Sequence, residues 1–236
     1  MCFILALFQM RADYPLIVAA NREERRDRLS TTPFRWEGKP ALWAGKDEVA
    51  GGTWFGVNSR GVFAAITNRR GVPADRTLLS RGTLCIDALR APSTEAALAA
   101  MEARLEANPS NAFNFVCADV AGGWTTTWRG RTRDLSPGIH LITSRGEPDD
   151  RRLSVTRRAK KLLGGVDLEA PLDDLLAGLG SLCADTGGTD PICRPGNDRG
   201  TVSSSLLALG PSGEVAAYLH AEGPPTENAY VRVDLE

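Results

Sequence analysis

Cys2-Phe3-Ile4-Leu5-Ala6-Leu7-Phe8 and Leu16-Ile17-Val18-Ala19-Ala20 are two nearly unbroken apolar runs, separated by the turn-like Gln9-Met10-Arg11-Ala12-Asp13-Tyr14-Pro15. Short apolar runs bounded in this way read as the strands of a hairpin. Strict alternation would leave one face wet, whereas continuous apolarity predicts that both faces of both strands are covered, as in the middle of a layered fold. Downstream, residues 53–57 and 62–67 flank Asn58-Ser59-Arg60-Gly61 and predict a second hairpin. Residues 80–89 and 93–107 predict helices, the second with Ser93 as N-cap and Leu98, Met101 and Leu105 at helical spacing. Strands are expected at 113–120, 124–128 and 139–143, helices at 153–163 and 172–184, and strands again at 201–209, 215–220 and 230–235.

That order cannot place every helix on one face of so many doubly apolar strands. The economical solution is two stacked sheets with helices outside each, an α+β fold built as a four-layer αββα sandwich. No internal repeat or convincing linker divides the chain, so residues 1–236 read as a single domain, with 185–198 the one long irregular stretch.

The composition, 42% hydrophobic and 24% charged with a formal net charge of −1, is that of an ordinary globular protein and gives no electrostatic reason to expect nucleic acid. No apolar run approaches the roughly 20 residues of a spanning helix, so no membrane span is expected. The opening has neither a basic leader nor a cleavage-site pattern, so it is not read as a signal peptide. The five cysteines, Cys2, Cys85, Cys117, Cys183 and Cys193, are an odd and widely spaced set, which argues against a disulfide framework or a metal site. These features together predict a cytoplasmic protein with reduced thiols. Arg151, Arg152, Arg157, Arg158, Lys160 and Lys161 crowd one helix and read as a solvated face, with an anion-binding edge as the sharper option.

Cys2 is the most informative single residue. Met1 is normally trimmed before so small a side chain, which would leave a thiol and a free α-amine on one residue. In model peptides these groups titrate near neutrality, at about 8.5 and about 7.7–8.0. An N-terminal amine is also a recognised base for an adjacent nucleophile. The bland reading is a buried cysteine in an ordinary first strand.

Three further constellations could carry chemistry. Asn21-Arg22-Glu23-Glu24 sits where the second strand exits beside the start of the first, so antiparallel pairing can bring Arg22 near Cys2. Glu23 could hold the α-amine, although a surface ion-pair cluster is the plainer explanation. Gly51-Gly52-Thr53-Trp54-Phe55-Gly56-Val57-Asn58, with Asn68 at the end of the returning strand, could leave backbone amides free and offer a side-chain amide to an oxyanion. A tight hairpin with a core Trp54 is the alternative. Gly200-Thr201-Val202-Ser203-Ser204-Ser205 could line a pocket with hydroxyls. His140 and His220 lie within strand patterns and read as structural.

Taken as an ordered set, Met1-Cys2, residues 16–24, residues 51–58 and Thr67-Asn68-Arg69 resemble the NRDE family, also called the transport and Golgi organisation protein 2 family. Ser80-Arg81-Gly82 and Gly200-Thr201 with Ser203-Ser204 fit the same pattern. Glu23 stands where the family's motif has aspartate, and Val202 where many members carry arginine. The family looks like a branch of the N-terminal nucleophile (Ntn) hydrolases, whose fold is the αββα sandwich. Residues 56–68 also resemble the corresponding hairpin of choloylglycine hydrolases and penicillin V acylases.

The resemblance implies Cys2 as nucleophile, Arg22 as its nearby cation, Glu23 as the carboxylate (with Glu24 able to take that part) and Asn68 as oxyanion donor. Asn21, Trp54 and Ser144 are carried over as substrate-binding positions. It implies a hydrolase or acyltransferase for a non-peptide amide or thioester, with a small-molecule acyl substrate, no metal and no cofactor. The competing expectation is a non-catalytic protein that binds or traffics haem or acyl-lipid on the same fold. Oligomeric state is left open.

Overall fold

The computed structural model describes residues 2–75 and 77–236. The expected removal of Met1 concerns a residue outside that set. The chain begins with the antiparallel pair β1 (Phe3–Phe8) and β2 (Leu16–Arg25), followed by β3 (Phe34–Trp36), β4 (Leu42–Ala44), β5 (Phe55–Asn58) and β6 (Phe63–Asn68). Helices α1 (Arg81–Leu89) and α2 (Thr94–Ala107) precede β7 (Phe113–Ala118), β8 (Gly123–Thr127), β9 (Arg133–Asp134) and β10 (Gly138–Thr143). Helices α3 (Ser154–Leu163) and α4 (Leu172–Cys183) lead into β11 (Arg199–Leu209), β12 (Val215–Ala221) and β13 (Val231–Arg232).

The strands form a six-stranded sheet in the order β10-β1-β2-β11-β12-β13 and a seven-stranded sheet in the order β3 to β9. Side-chain alternation turns the apolar runs into three cores between four layers. Phe3, Leu5, Leu7, Ile17 and Ala19 pack with Val155, Leu175 and Leu179 of the α3/α4 layer. Their neighbours Ile4, Ala6, Phe8, Leu16, Val18 and Ala20 meet Trp43, Phe55, Val57, Phe63 and Val116 of the second sheet. The far face of that sheet, through Leu42, Ala64, Ile66, Phe115 and Cys117, is covered by Leu84, Leu89, Ala97 and Met101 of α1 and α2. The arrangement is the αββα sandwich, and the continuity of the first two runs follows from β1 and β2 being interior strands with a layer on either side.

Two asparagines tie the layers together. Asn58 donates from Nδ2 to the carbonyls of Leu89 (2.8 Å) and Ala91 (2.9 Å), and its Oδ1 accepts from the amides of Arg60 and Val62, so the β5–β6 turn is latched to the end of α1. Asn114 on β7 donates to the carbonyls of Thr143 and Gly146, both at 2.7 Å, joining the two sheets near the end of β10. Ser93 caps α2, its Oγ accepting from the Ala96 amide at 3.3 Å.

Three differences from the sequence reading have physical causes. β3, β4 and β9 are only two or three residues long, too short to show a period. β2 continues through the polar residues Asn21–Arg25 because they pair with β11 across the register Asn21↔Ser204 to Arg25↔Arg199. The expected last strand at 230–235 contracts to Val231–Arg232. Among the described residues no helix is long and apolar enough to cross a membrane.

Candidate active site

The β1–β2 register runs Phe3↔Asn21, Ile4↔Ala20 and onward, so Cys2 lies one step further on, opposite Arg22. Ile4 and Ala20 face the gap between the sheets, and alternation places Cys2 and Arg22 on that same face. Among the described residues Cys2 is the one cysteine that is not buried. Burial pushes the thiols of Cys85, Cys117 and Cys193 up, and that of Cys183 to about 12, so these four are held neutral in the cores.

Cys2 borders two cavities. The larger encloses about 610 Å³, part of it open to solvent, between Cys2, Arg22, Trp54, Asn68 and Arg81. The smaller, about 260 Å³, lies between the sheets against Ile4, Phe55, Ile66, Ser203 and Ser205. Cys2 therefore stands where a polar, open space meets a tighter one walled by apolar side chains and hydroxyls.

Arg22 is 6% exposed and is held from three directions. Its Nη1 donates to Ser30 Oγ at 2.6 Å, its Nη2 lies 3.4 Å from Asp47 Oδ2, and its Cζ sits 3.9 Å from the centroid of the Trp54 ring. Burial lowers its pKa, while the charge of Asp47 favours the cation. Asp47 is shared with Arg28, whose Nε donates to Oδ2 at 2.7 Å, and it accepts the amides of Val49 and Ala50 at Oδ1. Burial works to raise the Asp47 carboxyl, but these donors prevail and hold it below its ordinary value.

Alternation sends Asn21 and Glu23 toward the other face of β2. Asn21 donates from Nδ2 to the carbonyls of Cys183 (2.8 Å) and Ile192 (3.1 Å), anchoring the end of α4 while also bordering the smaller cavity. Glu23, 5% exposed, borders the larger cavity, with Oε2 3.7 Å from Arg194 Nε. Burial raises its pKa, against the pull of Arg194 and Arg70. Glu24 accepts from Arg199 Nη2 at 2.9 Å. Asn68 ends β6 at the larger cavity, and Trp54 borders both cavities. Ser144 is buried and borders neither of these cavities; its backbone carbonyl accepts from the Arg70 amide at 2.8 Å.

Three residues of the site were given no role from the sequence. Asp47 and Ser30 fix Arg22, and Arg81 enters from the first turn of α1. Arg81 stood in the sequence only within Ser80-Arg81-Gly82, and what brings it to the cavity is the contact of Gly52 with Gly82. A Cβ on Gly52 would stand 2.4 Å from the Gly82 carbonyl carbon, and the Thr53 amide donates to the Gly82 carbonyl at 3.2 Å. The paired glycines thus serve chiefly to seat α1 against the hairpin, and the Gly51 and Thr53 amides are engaged by the carbonyls of Asp47 and Gly82.

Ser205 on β11 lies 2.9 Å from His220 Nδ1, and burial with the nearby Arg22 charge lowers the His220 pKa to about 4. His140 bridges Asp149 (2.8 Å) and the Ser136 carbonyl (2.7 Å); burial would lower its pKa, but these partners leave it raised. Neither histidine borders the two cavities. On α3, Arg157 and Lys161 are exposed and Arg158 pairs with Asp185.

The model of the family described as Transport and Golgi organisation 2 matches residues 1–173. The Transport and Golgi organization protein 2 homolog of Homo sapiens is 31% identical over 156 residues, which are 63% of this chain and 52% of the human protein, so the chain spans about half the length of that curated relative. Among solved structures, a variant of conjugated bile acid hydrolase from Clostridium perfringens superposes with a TM-score of 0.60 at 12% identity, covering 99% of this chain and 92% of that one. Penicillin V acylase from Agrobacterium tumefaciens gives 0.54 at 13% identity, covering 99% and 98%. At such identities the likeness is one of fold, that of the Ntn hydrolases.

Proposed function

The chain belongs to the Transport and Golgi organisation 2 family, and from that premise we propose that it is a hydrolase or acyltransferase in which Cys2, freed of Met1, attacks a non-peptide amide or thioester. One observation carries the reading: the single cysteine outside the cores lies at the junction of two cavities, opposite a buried and immobilised guanidinium. The solved structures that share the fold, an acylase and a hydrolase of conjugated bile acids, lend it support.

In the proposed reaction the α-amine of Cys2 takes the thiol proton and the thiolate attacks the carbonyl carbon. A C–S bond forms and the carbonyl π pair moves to oxygen, where the Asn68 side-chain amide donates to it. Donors of this kind contribute about 2.7–4 kcal/mol in other hydrolases. Collapse breaks the C–N or C–S bond of the substrate, and the leaving group departs with the proton held by the α-ammonium. Water, giving its proton to the same amine, then cleaves the acyl-cysteine and restores the thiol. An acceptor amine in place of water makes the reaction a transfer. Arg22 orients the substrate carbonyl from across the strand pair, and Glu23 holds the α-ammonium.

The test is the intact mass of the natively expressed protein before and after brief exposure to a thiol-reactive acyl probe. The reading expects loss of Met1 and one adduct, mapped to Cys2 and diminished in Arg22→Ala. Retained Met1, or adducts spread over Cys85, Cys117, Cys183 and Cys193, would overturn it.

A further inference from the structure

The larger cavity is bordered by three guanidiniums, Arg22, Arg28 and Arg81, and three carboxylates, Glu23, Glu24 and Asp47. Each carboxylate already has a guanidinium. Asp47 receives Arg28 at 2.7 Å and Arg22 at 3.4 Å, Glu24 receives Arg199 at 2.9 Å, and Glu23 stands 3.7 Å from Arg194. Arg81 differs. Its Nη1 donates to the Ala112 carbonyl at 3.0 Å, and among the described residues no carboxylate forms an ion pair with it. One carbonyl uses one of the five N–H donors of a guanidinium.

A cation so placed is costly to keep. Burial lowers the Arg81 pKa, and the Glu24 charge works against that without pairing with it. An anion arriving beside Cys2 would offset that cost. The planar fork of a guanidinium matches the two oxygens of a carboxylate. The three carboxylates around the same space disfavour a dianion such as phosphate, so a single negative charge fits better.

We infer that Arg81 is the specificity-determining residue of this site, receiving a carboxylate carried by the substrate within a few bonds of the scissile carbonyl. The inference rests on the reading of the cavity beside Cys2 as the reaction site, and it names the substrate class: carboxylate-bearing amides or thioesters. The carboxylate could stand on the amine side or on the acyl side of the amide, and the two are separable by experiment.

The test uses the full chain carrying Cys2→Ala, so that nothing turns over, and NMR-detected titration with two matched pairs. N-acetylglycine is compared with N-acetylglycinamide for the amine side, and succinamate with succinamide for the acyl side. At least one carboxylate is expected to bind about tenfold more tightly than its neutral twin. Arg81→Gln should abolish the preference, and Arg81→Lys should retain part of it. The pair that shows the preference identifies the side. No preference in the parent, or one that survives Arg81→Gln in a variant with an unchanged melting curve, would overturn the inference. If Arg81→Gln does not fold, Arg81→Lys decides: losing the fork should weaken the preference severalfold, and an unaltered preference counts against the inference. Because the titration lacks the thiol, failure of Cys2 to acylate in the wild type would sink the hydrolase reading and leave this result standing.

Discussion

The Arg22 guanidinium lies over the Trp54 indole, with Cζ 3.9 Å from the ring centroid, and this contact joins β2 to the residue that leads into β5, at the cavities Cys2 borders. A guanidinium over an indole face is worth about 0.5–2 kcal/mol, with the larger values where water is excluded. A double-mutant cycle of Arg22→Met and Trp54→Leu, read by urea denaturation, should return a coupling energy in that range. A coupling near zero would mean that Ser30 and Asp47 alone position the guanidinium.

Glu23 is expected to trade stability for function. Burial raises its folded pKa, so the ionised form is penalised on folding, and the penalty grows as pH rises past the ordinary carboxyl value toward the folded one. Glu23→Gln should therefore raise the denaturation midpoint at pH 7 while slowing acylation of Cys2 by at least tenfold. A midpoint that falls would show that Arg194 and the other partners outweigh the burial cost.

His220 sets an acid limit. Its folded pKa of about 4 lies below the ordinary 6.5, so the unfolded chain binds the proton first. The stability tied to the neutral imidazole is complete above pH 6.5 and is lost as pH falls from there toward 4. The loss approaches about 3 kcal/mol at full protonation. Comparing wild type with His220→Gln at pH 7 and pH 4.5 should show the steeper decline in the wild type, and parallel curves would refute the assignment.

Gly52→Ala should damage the fold and the site together. The added Cβ would meet the Gly82 backbone at 2.4 Å, where no flexible side chain can yield. Overpacking of this kind costs about 1–3 kcal/mol. Slower labelling of Cys2 should accompany the lower stability, since α1 carries Arg81 into the cavity.

Asn68→Ala tests the oxyanion assignment. With any turned-over substrate kcat should fall about 10²–10³-fold with KM little changed. An equal loss in KM alone would place Asn68 in ground-state binding.

The layered architecture was legible because Phe3–Phe8 and Leu16–Ala20 carry no polar alternation, and only a strand covered on both faces tolerates that pattern. The proximity of Arg22 to Cys2 was legible from hairpin geometry alone. Arg81 was visible only within Ser80-Arg81-Gly82, and its place at the cavity was not, because that depends on a backbone contact between Gly52 and Gly82, thirty positions apart, which leaves no periodic trace. Asp47 and Ser30 were missed for a similar reason: they lie in irregular segments and matter only through the guanidinium they hold. The division of the Asn21 amide, held at the end of α4, from the Arg22 guanidinium follows from alternation once β2 is known to continue past Ala20, which its polar composition concealed.

That division has a consequence for how such a chain can change over evolutionary time. Along β2, neighbouring residues serve different layers, Arg22 the space between the sheets and Asn21 the end of α4. Deleting one residue between Leu16 and Ala20 would turn the strand over, sending the guanidinium among helix carbonyls and exposing the amide to the thiol. Side-chain identities in this segment are therefore freer to drift than its length is, and lineages that keep the fold should differ here by replacement and hardly ever by insertion or loss.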